Sequence, residues 1–451
     1  MSSKEIAKPS SSKVKGKIKN RYVESVLVEN KPVFLVKNLE TQEISIEKTI
    51  ETDDCIFIPL KKSECGYYPY SFEKDEIQII FKQEITTEKI LEEIKNQVDR
   101  YLDLPKREKI LISGDILITY SMDWITTLHY PFFVGDNESG KSSVLHLGRW
   151  LNYRCMLSED IPNADIYNFL GTEEEGTGTI CEDEAQDLEF NKEKIRTYKS
   201  SYSSGATKPR VITFSNKKFQ VYYKTFCAKW FAGERLPRNK GFVERLAIVH
   251  MVSGTPLSNI KRADLNEKSD LNSLRNKLLI WKIQRIGKKY EFKSGLVRRD
   301  QELWEDFLGV FENTKFYNDG VDVVKHYIKQ RRKSITNSFE AIIFKILVDN
   351  LKENEIESLV LWNLLTDGTN LSGEFDSWNK KTFFPDEFDV KLTPNSLTNL
   401  VEDKFQGKKI VRTITRNKKS IKITSYFFDK ETLESLISKY GINLEVVITK
   451  S

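Results

Sequence analysis

Cysteine and histidine are scarce in this 451-residue chain, and neither is clustered. Cys55, Cys65, Cys155, Cys181 and Cys227 form no C-x-x-C pair, and the four histidines do not gather near them. No zinc site or disulfide framework follows, and a reducing compartment fits. Long apolar runs are missing too: none approaches the roughly 20 residues of a membrane span. Residues 1–20 lack the apolar core of a signal peptide, so a cytoplasmic protein without a membrane partner is expected. Charge of one sign is not in excess either, since 71 Lys and Arg face 66 Asp and Glu, a net of +5. Any contact with a polyanion must come from local patches rather than from bulk charge. There is no internal repeat, and the length implies several domains.

What is present centres on Pro131–Trp150. Gly135-Asp136-Asn137-Glu138-Ser139-Gly140-Lys141-Ser142 fits G-x-x-x-x-G-K-[ST] at every fixed position. Phe132-Phe133-Val134 before it reads as a buried strand, and the segment from Ser143 to Trp150 has helical spacing. Strand, glycine loop and helix are the context that a phosphate-binding loop needs. Residues 135–143 would cradle the phosphates with backbone N–H groups at a helix N-terminus. Lys141 would bring a positive charge to the β- and γ-phosphates, and the Ser142 hydroxyl would ligate magnesium.

Elsewhere the pattern divides the chain. Residues 1–20 hold six lysines, one acid and five serines, and read as a disordered basic tail. Residues 21–85 alternate apolar and polar in short pieces, including Ile77-Gln-Ile-Ile-Phe, and read as a small β domain. Residues 86–255 hold two leading helices and the nucleotide core. Thr87 is a cap, Ile90, Leu91, Ile94, Val98 and Leu102 form one stripe, and a second helix spans Lys109–Trp124. Both helices read as lids. Residues 256–334 read as a helical lid and linker.

Some forty residues after the loop, Thr179-Ile-Cys-Glu182-Asp183-Glu184 is an apolar strand ending in acids. In a parallel sheet its tip lies beside the loop. Asp183 would hold magnesium and Glu184 would polarise the attacking water, with Glu182 a rival for either role. Lys192–Lys199 is a basic helix. The segment Arg210–Lys224 reads as a β-hairpin with Lys217 and Lys218 at a positive tip. Cations for phosphates and Phe219, Tyr222 and Tyr223 for bases would suit a single strand, although the rings also suit ordinary sheet packing. Arg245 stands at the mouth of the apolar strand that follows Phe242. It would be a surface residue in a lone domain and an arginine finger in a ring.

In this order, the glycine loop, acid pair, hairpin, Phe231-Ala-Gly-Glu-Arg-Leu-Pro turn and Glu244-Arg-Leu-Ala-Ile-Val-His-Met strand resemble AAA+ P-loop ATPases. The closest resemblance is to the hairpin-bearing, helicase-related branch of archaeal MCM-like, superfamily III and plasmid or phage primase-helicase proteins. It covers roughly 109–312. It implies a three-layer α/β sandwich, ATP and magnesium, and a homohexameric ring acting on single-stranded and duplex DNA. It makes Arg299 the sensor-2 arginine, reaching the γ-phosphate from the lid. Sensor 1 departs from the family's usual Asn: Glu234 stands there, while Asn216 lies one strand earlier in the hairpin.

Residues 335–451 read as a winged helix. Helices over Phe339–Asn350 and Val360–Leu365 precede a helix capped by Thr393 with Pro394 in its first turn. Asn395, Ser396, Thr398 and Asn399 could meet phosphates or base edges. The strands Ile410–Thr415 and Ile421–Phe428 flank Arg416, Asn417, Lys418 and Lys419, and eight cations with no acid lie between Lys404 and Phe428. The expected whole is an ATP-dependent DNA helicase or translocase. Alternatives are an ATP-switched DNA-binding initiator without unwinding activity, and a signalling ATPase held shut by its winged helix.

Overall fold

The computed structural model describes residues 8–214, 217–336, 339–367, 393–416 and 419–440. The chain divides into two compact units between Tyr327 and Ile328, within the helix Tyr317–Thr336. None of the helices among the described residues is long and apolar enough to cross a membrane.

The first unit is mixed α/β, built on a five-stranded parallel sheet. In spatial order the strands are Cys155–Ser158, Thr179–Glu182, Lys229–Gly233, Tyr130–Val134 and Leu246–His250. Cys181 pairs with Trp230, Phe231 with Phe132, and Leu246 with Tyr130. Parallel strands covered on both faces are apolar throughout rather than alternating, and Tyr130–Val134 and Lys229–Gly233 are buried at every position. The helix Thr87–Tyr101 is capped by Thr86, one residue before the expected Thr87, and buries Ile90, Leu91, Ile94 and Val98 on one face. The helix Lys106–Thr119 is not a lid. Every residue from Ile110 to Thr119 is buried, as in a helix enclosed on all sides.

Antiparallel strands Lys15–Ile18, Arg21–Val28, Lys31–Asn38 and Ile44–Glu47 form a second sheet, in the expected stretch but starting earlier. Two expectations fail here. Ile77–Phe81 lies in a helix, Lys74–Lys82, with Ile77 and Ile80 buried. A short apolar run fits either period, and this one sits behind a capping box at Glu73. Nor are residues 8–20 of the basic tail a free coil, since Ser10–Lys13 and Lys15–Ile18 are strands; residues 1–7 lie outside the described residues. Lys13 bridges to Glu173 at 3.0 Å and Lys15 to Asp123 at 2.9 Å. A buried lysine is tolerated when paired, and these partners lie more than a hundred residues away.

The two sheets join through a buried ionic cluster, so the expected separate β domain belongs to the same unit as the core. Glu24 accepts from the Arg154 guanidinium, from Lys282 Nζ at 2.6 Å and from Tyr153 Oη at 2.7 Å. Asp123 receives Lys15, Lys282 at 2.8 Å and the Tyr22 hydroxyl at 3.0 Å. Burial alone would raise both carboxyls; the surrounding cations outweigh it and hold both below the usual range.

The second unit has helices Phe339–Asp349, Ser358–Asp367, Pro394–Asn399 and Lys430–Tyr440, with a π-helical turn over Leu400–Lys404. Lys408–Arg416 pairs antiparallel with Lys419–Phe427, and an unforeseen strand, Glu355–Glu357, pairs with the latter. Phe344, Trp362, Leu397, Phe405, Tyr426 and Phe428 form its core. Thr393 Oγ1 accepts from Ser396 N at 3.2 Å, so the expected cap is present, and Asp429 Oδ1 accepts from Thr432 N at 2.8 Å at the start of the last helix.

Replacing Glu24 by Ala leaves Arg154 and Lys282 buried without their shared acid, which should destabilise the first unit by about 3–5 kcal/mol. Urea unfolding followed by tryptophan fluorescence reads this. An unchanged midpoint would mean that Glu24 contributes nothing to joining the sheets.

Candidate nucleotide site

The glycine loop leaves the carboxyl end of Tyr130–Val134. Gly135 N–H donates to Gly233 O at 3.3 Å, which ties the loop to the next strand. A side chain at Gly135 would meet Met251 O at 2.5 Å, so only glycine fits that approach. Glu138 and Gly140 take left-handed backbone, φ 64° and 88°, and Gly140 opens the helix Lys141–Leu151. Asp136, Asn137 and Glu138 are exposed, while Ser139 is buried with its hydroxyl unpartnered. Lys141 is buried, and its ammonium turns into the loop, on Gly135 O and on Asp136 O at 2.8 Å. Ser143 N–H closes the first helical turn on Gly140 O at 3.0 Å. Unpaired N–H groups and the helix dipole make such an end favourable for anions.

Ser142 Oγ donates to Asp183 Oδ2 at 2.8 Å. The acid strand therefore ends at the loop, although one strand separates the two in the sheet. Glu182 faces the other way. It accepts from Lys194 Nζ at 2.7 Å and Tyr198 Oη at 2.8 Å in the interior, which removes it as a rival. Burial raises its carboxyl, and Lys194 offsets only part of that. Lys194, on the expected basic helix, is accordingly buried. Glu184 is exposed and left-handed at φ 53°, an unusual backbone for a side chain of its size. Its carboxylate accepts from Gln186 Nε2, and Gln186 Oε1 accepts from Glu234 N–H at 3.2 Å. Glu184 and Glu234 thus meet through Gln186. No motif signals this glutamine in the sequence.

Arg245 lies at the opposite edge of the sheet. Its carbonyl accepts from Tyr130 N–H at 2.9 Å, and the strand from Tyr130 to Val134 separates it from the glycine loop by about 13 Å of backbone. Arg299 is at the same far edge. Its guanidinium and that of Arg245 each lie 4.6 Å from the Tyr202 ring centre. It does not reach its own loop from the lid, because Asp306 on its helix accepts from the N–H groups of Thr126 and Thr127, ahead of the loop strand.

The hairpin comprises Thr207–Phe214 and Lys217–Lys224, longer than expected at its base. Lys217 and Lys218 are exposed; Asn216 lies outside the described residues. Phe219, Tyr222, Val211 and Ile212 are exposed, whereas Tyr223 packs on Tyr167 with ring centres 5.5 Å apart. In the second unit Asn395 and Asn399 face solvent, but Ser396 serves the cap and Thr398 Oγ1 is bonded to Tyr426 Oη at 2.8 Å. Arg416 and Lys419 form the last pair of the antiparallel ribbon, and Lys418 lies outside the described residues.

No protein-family profile and no curated protein matches this chain. Solved structures do align with it. The A form apo structure of the NrS-1 C-terminal region is 11% identical, with TM-score 0.33, over 90% of this chain and 96% of that one. A second apo structure of that region is 10% identical, with TM-score 0.36 and the same coverage. The JCV helicase is 12% identical, with TM-score 0.22, over 61% of this chain and 75% of that one. Likenesses of this size carry no argument about activity.

The two neighbouring acids should separate cleanly in a stability test. Glu182→Ala leaves the buried Lys194 with only the exposed Asp160 and removes the acceptor of the Tyr198 hydroxyl, and should lower stability by about 3 kcal/mol. Glu184→Ala, in solvent, should leave the thermal midpoint unchanged. Equal effects would refute the assignment of inward and outward acids.

Proposed function

We propose that this chain is a nucleic-acid-dependent ATPase of the helicase or translocase kind, working as a ring of copies. The contact between Ser142 and Asp183 carries this reading. The two residues stand 41 apart in sequence and meet at 2.8 Å beside the loop that holds Lys141. A hydroxyl and a carboxylate in contact form an oxygen donor pair suited to magnesium. The loop N–H groups and the Lys141 ammonium suit a triphosphate, and the unpartnered Ser139 hydroxyl is a further donor in the loop. On this reading the parallel sheet with its loop is an AAA+ P-loop sandwich and the second unit is a winged helix.

When bound by Ser142 and Asp183, magnesium would neutralise charge on the phosphates. Lys141 would release its loop carbonyls and bind the β- and γ-phosphate oxygens. Glu184, exposed at the loop edge, would orient the attacking water, with Gln186 fixing its carboxylate. Glu234 would sense the same edge through Gln186. Arg245 and Arg299 lie too far from their own loop to take part in it, so they would stabilise charge on a triphosphate held by the adjoining copy. Phosphoryl transfer needs chiefly such positioning and charge. The exposed rings and lysines of the hairpin would hold single-stranded DNA, and the cationic ribbon of the second unit would hold duplex.

Lys141→Ala should reduce ATP hydrolysis to background. Arg245→Ala should lower turnover roughly 10³-fold while sparing nucleotide binding. Mixing Arg245→Ala with Glu184→Gln copies should restore part of the activity, because some interfaces then carry both intact halves. No recovery on mixing would place the arginine outside the neighbour's site. A forked-duplex assay with ATP tests strand separation; hydrolysis without it would make the chain an ATP-switched DNA binder.

A further inference from the structure

Tyr202 lies in the turn between the helix Lys192–Ser200 and the hairpin, five residues before Thr207. Its backbone is hydrogen-bonded to the segment ahead of the loop strand, with Leu128 N–H donating to Tyr202 O at 3.0 Å. Its side chain gathers two cations. The guanidinium carbons of Arg245 and Arg299 both sit 4.6 Å from the ring centre. Few other groups hold them. Arg245 donates to Gly241 O, and its buried Nε has no partner. Arg299 bridges to Glu302 at 2.6 Å, and that carboxylate also receives the Tyr202 hydroxyl at 3.4 Å.

Two guanidiniums gathered at one ring repel each other. The negative ring face offsets part of that repulsion and fixes where each can sit. Glu302 is the acid in contact with Arg299 and Tyr202, and Glu244 acts on Arg245 as well, so the ring rather than bulk charge distinguishes this cluster. The hairpin grows from the same turn, with Thr225 N–H closing its base on Ala206 O at 2.9 Å.

We infer that Tyr202 is a positioning residue: its ring sets the spacing at which Arg245 and Arg299 meet the γ-phosphate held by the adjoining copy, and strand binding at the hairpin acts on hydrolysis through it. This rests on the ATPase reading above. It adds a route from the hairpin to the arginines that is short and lies within one subunit. A strand that pulls on Thr207–Lys224 displaces the turn carrying Tyr202, and the arginines follow the ring.

The test replaces Tyr202 in the full chain by phenylalanine and then by phenylalanines bearing one, two and three ring fluorines. Ring shape is kept while the negative face weakens. Turnover, KM for ATP and the stimulation by single-stranded DNA are measured, with binding of a fluorescent ATP analogue as control. Tyr202→Phe should stay within about twofold of the parent, because only the long hydroxyl contact to Glu302 is lost. Across the fluorinated series kcat should fall stepwise, about tenfold in all, with KM unchanged and DNA stimulation falling in parallel. A flat series, with Lys141→Ala inactive, overturns the role of Tyr202 and leaves the ATPase reading standing. A Lys141→Ala chain as active as its parent removes the ATPase reading itself.

Discussion

The carboxylate of Glu24 is the constraint on which the first unit depends. It lies fully buried among Lys282 and the adjacent pair Tyr153 and Arg154, from two distant parts of the chain. Arg154 stands directly before the first strand of the parallel sheet, and Lys282 lies on the long helix Leu265–Arg285. Taking such charges out of water is unfavourable unless every one is matched. The matching here is geometric as well as electrical. Asp123 repeats the arrangement with Lys15, Lys282 and Tyr22, so Lys282 is shared by both acids. Sheet, core and long helix can close together only in one register.

That register reaches the nucleotide edge. Lys15 also donates to Gly176 O at 3.0 Å, and Lys13 holds Glu173 in the same turn. This turn leads into Thr179–Glu182, whose end carries Asp183. The N-terminal strands thus fix the entry to the acid strand, and Lys194 and Tyr198 fix its last buried residue, Glu182. What remains at the tip is Asp183, half-buried against Ser142, and the exposed Glu184. Rigid support behind and solvent in front suit a site that must admit a charged ligand.

Much of this was legible in the sequence where the signal is local. The glycine loop, its strand and its helix need only neighbouring residues to declare themselves. The stripe Ile90, Leu91, Ile94 and Val98 and the cap at Thr393 are of the same kind. Failures came where the deciding partner is distant. Lys13 and Lys15 look solvated until Glu173, Glu174 and Asp123 are placed beside them. Glu182 and Glu184 are indistinguishable by composition, and only the position of Lys194 separates them. Ile77–Phe81 failed because a five-residue apolar run has no period of its own. Arg299 lies on a helix, as its sequence pattern suggests, but the edge at which that helix docks depends on Asp306 and the backbone at 126–127.

The far-edge position of Arg245 and Arg299 has a kinetic corollary. On the ATPase reading, each copy holds one half of a reaction centre on each of two opposite borders, and neither half is complete alone. A solitary copy could store nucleotide for long periods without spending it. Turnover per copy would then rise with concentration until assembly saturates, and dilution would silence the protein without any inhibitor. Fuel consumption would be gated by encounter, which keeps stray copies from draining ATP away from the strand on which the ring is built.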